Sequence, residues 1–227
     1  MTMTLSQTTL STLIDAMFPE PWLTVEIDVD RCDYLSNLIG TLQDRADPEN
    51  PAIALVRSWF AVAHGAEAFE EGLLKMLCDS EAVIREHFPD EHRCLGMNLA
   101  AQGCHIWFLR EKSDAIRPLA EALKLMMTCR LTLEADLLKV CEVLADCLSE
   151  TGYIDDALFV LYLGQPYVAA SYEQDEFLAA QFEEFREQFV QEFGDVCLPE
   201  SAFMLDTLRL PRRGLVQQSQ SAGAISF

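Results

Sequence analysis

The sequence predicts an all-α fold, built of about nine antiparallel helices. Three observations carry that reading. The 227 residues include only ten glycines and nine prolines, and long stretches run without either. Apolar residues recur at helical rather than alternating spacing. Helix-starting and helix-stopping residues stand between the periodic segments.

Leu5 to Phe18 places Leu10, Leu13, Ile14 and Met17 on one helical face, and Pro19 and Pro21 end it. Residues 22–29 then show a short strand pattern, with Leu23, Val25, Ile27 and Val29 alternating. Cys32 to Arg45 returns to helical spacing through Tyr34, Leu35, Leu38, Ile39 and Leu42. Asp47 to Pro51 is a loop, and Pro51 can open the next helix because its missing N–H would have no partner there. That helix carries Ile53, Val56, Trp59, Phe60 and Ala63 and breaks near Gly65. Glu67 to Phe88 follows, with a kink expected near Asp79 and Ser80.

From there the helices come in pairs. Glu91 to Glu111 is one, and Ser113 to Thr128 the next, with Ser113 or Asp114 as its cap. Thr132 is the expected cap of a helix whose first turn holds Glu134 and Asp136 and which stops at Gly152. Asp155 opens a shorter helix that ends by Gly164 to Pro166. Asp175 to Phe193 completes the series with a stripe of Leu178, Phe182, Phe185, Phe189 and Phe193, the spacing of a core-facing stripe.

These boundaries divide the chain into an N-terminal helical segment at 1–50, a helical domain at 51–208 and a tail at 209–227. The tail holds three arginines and no acid, so the rest of the chain carries -24 of a total formal charge of -21. Such an acidic surface disfavours nucleic-acid phosphates and anionic membranes. It suits solubility, a basic partner, or mimicry of nucleic-acid charge. The beginning of the chain lacks the basic start and apolar run of a secretory leader. The eight cysteines mostly fall in apolar helical patterns. Reduced, largely buried thiols in a cytoplasmic protein are therefore expected.

One segment is more specific. Leu144-Ala145, Leu148, Gly152, Asp155-Asp156-Ala157, Leu161 and Gly164 follow each other as in a helical hairpin with small residues at its crossing. In this order they resemble a tetratricopeptide unit. A weaker copy aligns as Gly103, Ile106, Ala115, Leu119 and Ala122, with Arg110 where the turn glycine would stand. The matching alanines, Ala115 and Ala157, are 42 residues apart, against the family's usual period of about 34, and the terminal proline of its pattern is absent. The resemblance covers roughly residues 91–170, and a related α-solenoid array of longer period fits equally. Small acidic bacterial proteins that chaperone type III secretion substrates resemble the chain in acidity and helical content.

The resemblance implies a non-enzymatic interaction module, an adaptor, chaperone or regulator. Its partner would be a protein or peptide, expected to be basic, bound on the first helix of each pair. Asn98, Gln102 and His105 on one hairpin, and Lys139, Glu142 and Asp146 on the next, are the candidate partner-binding residues.

No catalytic residue, cofactor or metal is assigned. The nearest approach to a metal cluster is Glu91-His92-x-Cys94 with Cys104-His105, but Cys94 and Cys104 would lie ~15 Å apart along one helix. No phosphate-binding loop or hydrolase motif occurs. Two other classes stay open: an acidic nucleic-acid mimic that inhibits a DNA- or RNA-binding protein, and an enzyme with a helical pocket.

Overall fold

The computed structural model describes residues 21–23, 29–45, 50–64, 70–129 and 132–194. Every regular element among them is helical. We number the α-helices α1 (Val29–Arg45), α2 (Pro51–Ala63), α3 (Glu71–His87), α4 (His92–Leu109) and α5 (Lys112–Thr128). They continue as α6 (Glu134–Glu150), α7 (Ile154–Gly164), α8 (Val168–Gln174) and α9 (Glu176–Phe193), with a 3-10 turn at Gln165–Tyr167. The expected helix at Leu5 to Phe18 and the tail at 209–227 lie outside the described residues. So do residues 24–28 of the strand pattern; Trp22 and Leu23 form a bend, and Val29 already opens α1.

Local chemistry explains most of the boundaries. Asn50 caps α2, its side chain accepting from the Ala52 N–H at 3.0 Å, and Pro51 takes the first helical position. Asp175 caps α9 by accepting from the Leu178 N–H at 2.9 Å. At the end of α6, Gly152 adopts φ +87°. The Gly152 N–H donates to Ser149 at 3.0 Å and the Tyr153 N–H to Leu148 at 2.8 Å. Those two bonds make a Schellman stop, which needs a residue that tolerates the left-handed region.

Two expected caps are corrected. Helix α5 begins at Lys112, so Ser113 and Asp114 lie inside it, and Glu111 holds the cap position without a side-chain bond. Leu133, not Thr132, precedes α6. A residue distant in sequence replaces the local cap. Gln174 of α8 accepts from the Ala135 N–H at 3.1 Å and donates to Glu134 at 2.6 Å. Glu71–His87 runs as one helix through Asp79 and Ser80.

Helices α1 to α7 each pack on the next in sequence, as α8 does on α9, whereas α7 and α8 are linked through the 3-10 turn. Contacts also skip elements: α2 meets α4, α4 meets α6, α6 meets α8 and α9, and α7 meets α9. Helices α3, α5 and α7 make no comparable contact with one another. Thus α2, α4 and α6 form an inner row, and α3, α5 and α7 an outer one. Helix α4 lies at the middle, covered by α2, α3, α5 and α6, and it is buried on nearly every side from Arg93 to Gly103. Trp22, Leu23, Cys32 and Leu35 belong to the same apolar cluster as the later helices.

Close approach requires glycine at two places. A Cβ on Gly103 would lie 2.3 Å from Leu119 Cγ, so α4 and α5 could not cross as they do. A Cβ on Gly164 would come within 2.6 Å of the Phe182 ring. The sequence places Gly164 at the α6–α7 crossing, whereas in the structure it mainly makes room for α9. Ala145 and Ala157 are fully buried in the packed α6–α7 pair. The α9 stripe buries Leu178, Phe182 and Phe189, while Phe193 and the off-stripe Phe177 are exposed.

Candidate functional site

The most unusual cluster of side chains holds a short bent piece of the chain, Pro21 to Leu23, against the inner row. Trp59, from the middle of α2, is wholly buried and meets Trp22 with ring centroids 4.4 Å apart, tilted by 51°. Arg93, at the start of α4, lies with its guanidinium 5.8 Å from the Trp59 ring centre. Arg31, in the first turn of α1, sits 4.6 Å from the Trp22 ring centre. Aromatic faces attract cations, more strongly where water is excluded. Arg31, Trp22, Trp59 and Arg93 therefore form a continuous chain of favourable contacts.

The backbone of the segment is held as firmly as its side chains. Arg31 Nη1 donates to the Pro21 carbonyl at 2.8 Å. Asp136, in the first turn of α6, accepts from the N–H groups of Trp22 and Leu23 with one oxygen, Oδ1, at 2.8 and 2.7 Å. A carboxylate at that position also faces the positive end of the α6 dipole. Trp59 of α2 and Asp136 of α6 thus meet on one bent segment, with Arg93 of α4 beside Trp59.

Burial dominates the electrostatics. Asp136 is 1% exposed, and desolvation pushes its carboxyl up to about 6 against the opposing pull of the Leu23 and Trp22 N–H groups and of Arg93 and Arg31. Among the described residues, its second oxygen, Oδ2, has no hydrogen-bond partner, and neither does the indole N–H of Trp59. Native interiors leave few polar groups in that condition.

The residues expected to line an open surface are placed differently. Asn98, Gln102 and His105 are all buried. Asn98 donates to Ser58 Oγ at 2.8 Å and to the Leu77 carbonyl at 3.2 Å. Gln102 donates to Asn98 and to Glu81, each at 2.7 Å. This polar seam ties α2, α3 and α4 together inside the array. Burial lowers the His105 imidazole to about 4, so it is neutral at pH 7.

The α6 trio is only partly covered. Lys139 pairs with Glu142 at 3.3 Å, and Glu142 accepts from Gln181 of α9 at 3.0 Å. Asp146 accepts from the Trp107 indole N–H at 2.6 Å and from Lys112 at 2.8 Å. Lys112 also pairs with Glu150. The structure brings Asp146 to α4 and α5, and Lys139 and Glu142 to α9. It does not gather the six into one surface.

Sequence reasoning noted Asp136 as a first-turn acid and Trp59 as an apolar-face residue, and it missed their meeting with Arg31, Arg93 and Trp22. One signal was available. Arg93 stands beside a long run of small and apolar residues in a chain with only 16 basic side chains, and a cation in that setting needs partners.

Among the described residues no group of histidine, cysteine and acidic side chains is arranged to hold a metal ion. Cys32, Cys94, Cys141 and Cys147 are buried, and Cys78 is exposed. Burial raises the Cys104 thiol to about 11 and Cys147 to about 12, which removes thiolate character at neutral pH. No described helix is long and apolar enough to cross a membrane.

No protein-family model, curated protein or solved structure matches this chain. The class it defines is architectural: an all-α array of helices packed in sequence order, with a short bent segment seated on its inner row.

Proposed function

We propose that the protein is a non-enzymatic, cytoplasmic interaction module, an adaptor, chaperone or regulator, that binds a short, bent segment of a partner protein between α2 and α6. One observation carries this reading. Side chains from those two helices already grip Pro21 to Leu23, through its N–H groups and through an aromatic anchor. Main-chain hydrogen bonds supply affinity without regard to sequence, and a pocket for one large side chain supplies selectivity. The tetratricopeptide-like reading is supported by the Gly103–Leu119 packing, which joins two positions of the weaker sequence copy.

The chemistry of the grip revises the expected partner. The Arg31 guanidinium and the Asp136 carboxylate contact the segment, and the Arg93 guanidinium stands beside Trp59, so the contact region favours an aromatic, locally uncharged peptide over a basic one. The wider acidic surface would then act on encounter, steering a basic partner at long range.

Selection of a displayed peptide library on the full chain tests the proposal. Enriched peptides should carry a large aromatic residue followed by an aliphatic one. Asp136→Asn should weaken their binding by about tenfold, because an amide oxygen accepts N–H groups less strongly than a carboxylate. Binding that Asp136→Asn leaves unchanged would move the site elsewhere, and a library that yields no binder would remove the proposal.

A further inference from the structure

We infer that Pro21–Leu23 is a resident and exchangeable occupant of the site formed by Trp59 and Asp136, standing where a partner's bent segment binds. The partner segment would offer a large aromatic side chain at the Trp22 position and an additional hydrogen-bond donor for Asp136 Oδ2. This inference rests on the peptide-binding reading above.

Two features of the grip separate it from ordinary core packing. The first is its mode. The Asp136 bonds go to backbone N–H groups, and the Arg31 bond to a backbone carbonyl. Any segment that bends in the same way presents the same groups, whatever its side chains, so the grip is transferable to another chain.

The second is its incompleteness. Asp136 Oδ2 is a buried acceptor and Trp59 Nε1 a buried donor, and among the described residues neither has a partner. Leaving buried polar groups unsatisfied is unfavourable. The resident segment therefore binds less well than the site permits. A competing segment that supplies a donor to Oδ2, from a hydroxyl, an amide or a further N–H, would recover what Pro21–Leu23 leaves unused. An acceptor for Trp59 Nε1 would add to that. A binding site whose internal occupant is suboptimal stays closed to nonspecific apolar peptides and opens to a ligand of the right pattern.

The test has two arms on the full chain. In the first, native-state hydrogen exchange is followed for the Trp22 and Leu23 amides. An exchangeable segment opens locally, so these amides should exchange at least about tenfold faster than the slowest amides of α4 and α6, with little dependence on low denaturant. In the second, a fluorescent peptide with the sequence of residues 20–25 is titrated onto the wild type and onto Trp22→Ala. The variant should bind it about tenfold more tightly, since its own segment competes less. Methylating the peptide's Trp22-equivalent or Leu23-equivalent amide nitrogen should abolish that binding.

If the Trp22 and Leu23 amides exchange as slowly as the core, the segment is a fixed part of the fold and the inference is overturned. The peptide-binding reading would survive in that case for another surface. If the segment opens locally but Trp22→Ala, with its helical content intact, binds no peptide, both readings fall. Should Trp22→Ala not fold, Leu23→Ala takes its place with the same peptide and the same criteria.

Discussion

Helix α6 carries two aspartates, ten residues and roughly 15 Å apart along its axis, that build similar clusters in different surroundings. Asp136 at its start holds the N–H groups of Trp22 and Leu23, with Arg93 and Arg31 nearby. Asp146 near its end holds the indole N–H of Trp107 and the ammonium of Lys112, which lies 5.6 Å from the Trp107 ring centre. Each site joins a carboxylate, a tryptophan and a cation from different parts of the chain. Asp136 is sealed from water, whereas the Asp146 and Lys112 side chains are each 26% exposed. The lesson is that solvent access, more than the residue types, sets the energetic stakes of a polar cluster.

The largest effect should come from Asp136→Ala. It strips two buried N–H groups of their acceptor and leaves Arg93 and Arg31 without the carboxylate. The expected loss is about 3–5 kcal/mol in a denaturant melt. A loss no larger than that of Asp146→Ala would break the comparison.

The pH response should differ in the same direction. Asp136 titrates near 6 in the folded protein against about 3.8 in an unfolded chain. The folded state therefore holds the proton more tightly. The stability that this contributes is fully present below about pH 4 and is lost as pH rises through about 6, on the order of 3 kcal/mol. Other carboxylates titrate in the same window, so the quantity to measure is the stability of wild type minus that of Asp136→Asn from pH 4 to 7. It should fall with rising pH, and a flat difference would contradict the burial argument.

Gly103→Ala probes the packing that brings α4 against α5 and so sets where Trp107 and Lys112 meet. The new Cβ would press on Leu119 Cγ at 2.3 Å, and the strain should cost about 1–3 kcal/mol despite alanine's better helix propensity. Calorimetric melting would show it, and an unchanged Tm would mean that Leu119 yields freely. The smallest effect is expected of Asp146→Ala, about 1 kcal/mol, because water can replace part of what is lost. That loss should shrink in high salt, while the Asp136→Ala loss should not.

Much of the helical framework was legible in the sequence. Pro51 after Asn50, Gly152 and Asp175 mark boundaries that the structure keeps, because each acts through the few residues beside it. The two caps misread at α5 and α6 show the limit of that logic. The start of α6 is satisfied by Gln174, 39 residues beyond Ala135, and no local rule points to such a partner.

The candidate site shows the limit more sharply. Asn98, Gln102 and His105 are polar residues on a first helix, and from sequence they face outward. Periodicity identifies a buried face only when the opposite face meets water. Helix α4 is enclosed by α2, α3, α5 and α6, so its polar side chains turn to Ser58, Glu81 and the Leu77 carbonyl instead. The sequence by itself determined the helix class, most of the stops and the apolar faces, since these follow from dihedral preferences and spacing over a turn or two. Only the tertiary structure decided that Trp22 and Asp136 meet across 114 residues. Hydrogen bonds between distant groups depend on where packing puts whole helices, and that placement is a property of the assembled core.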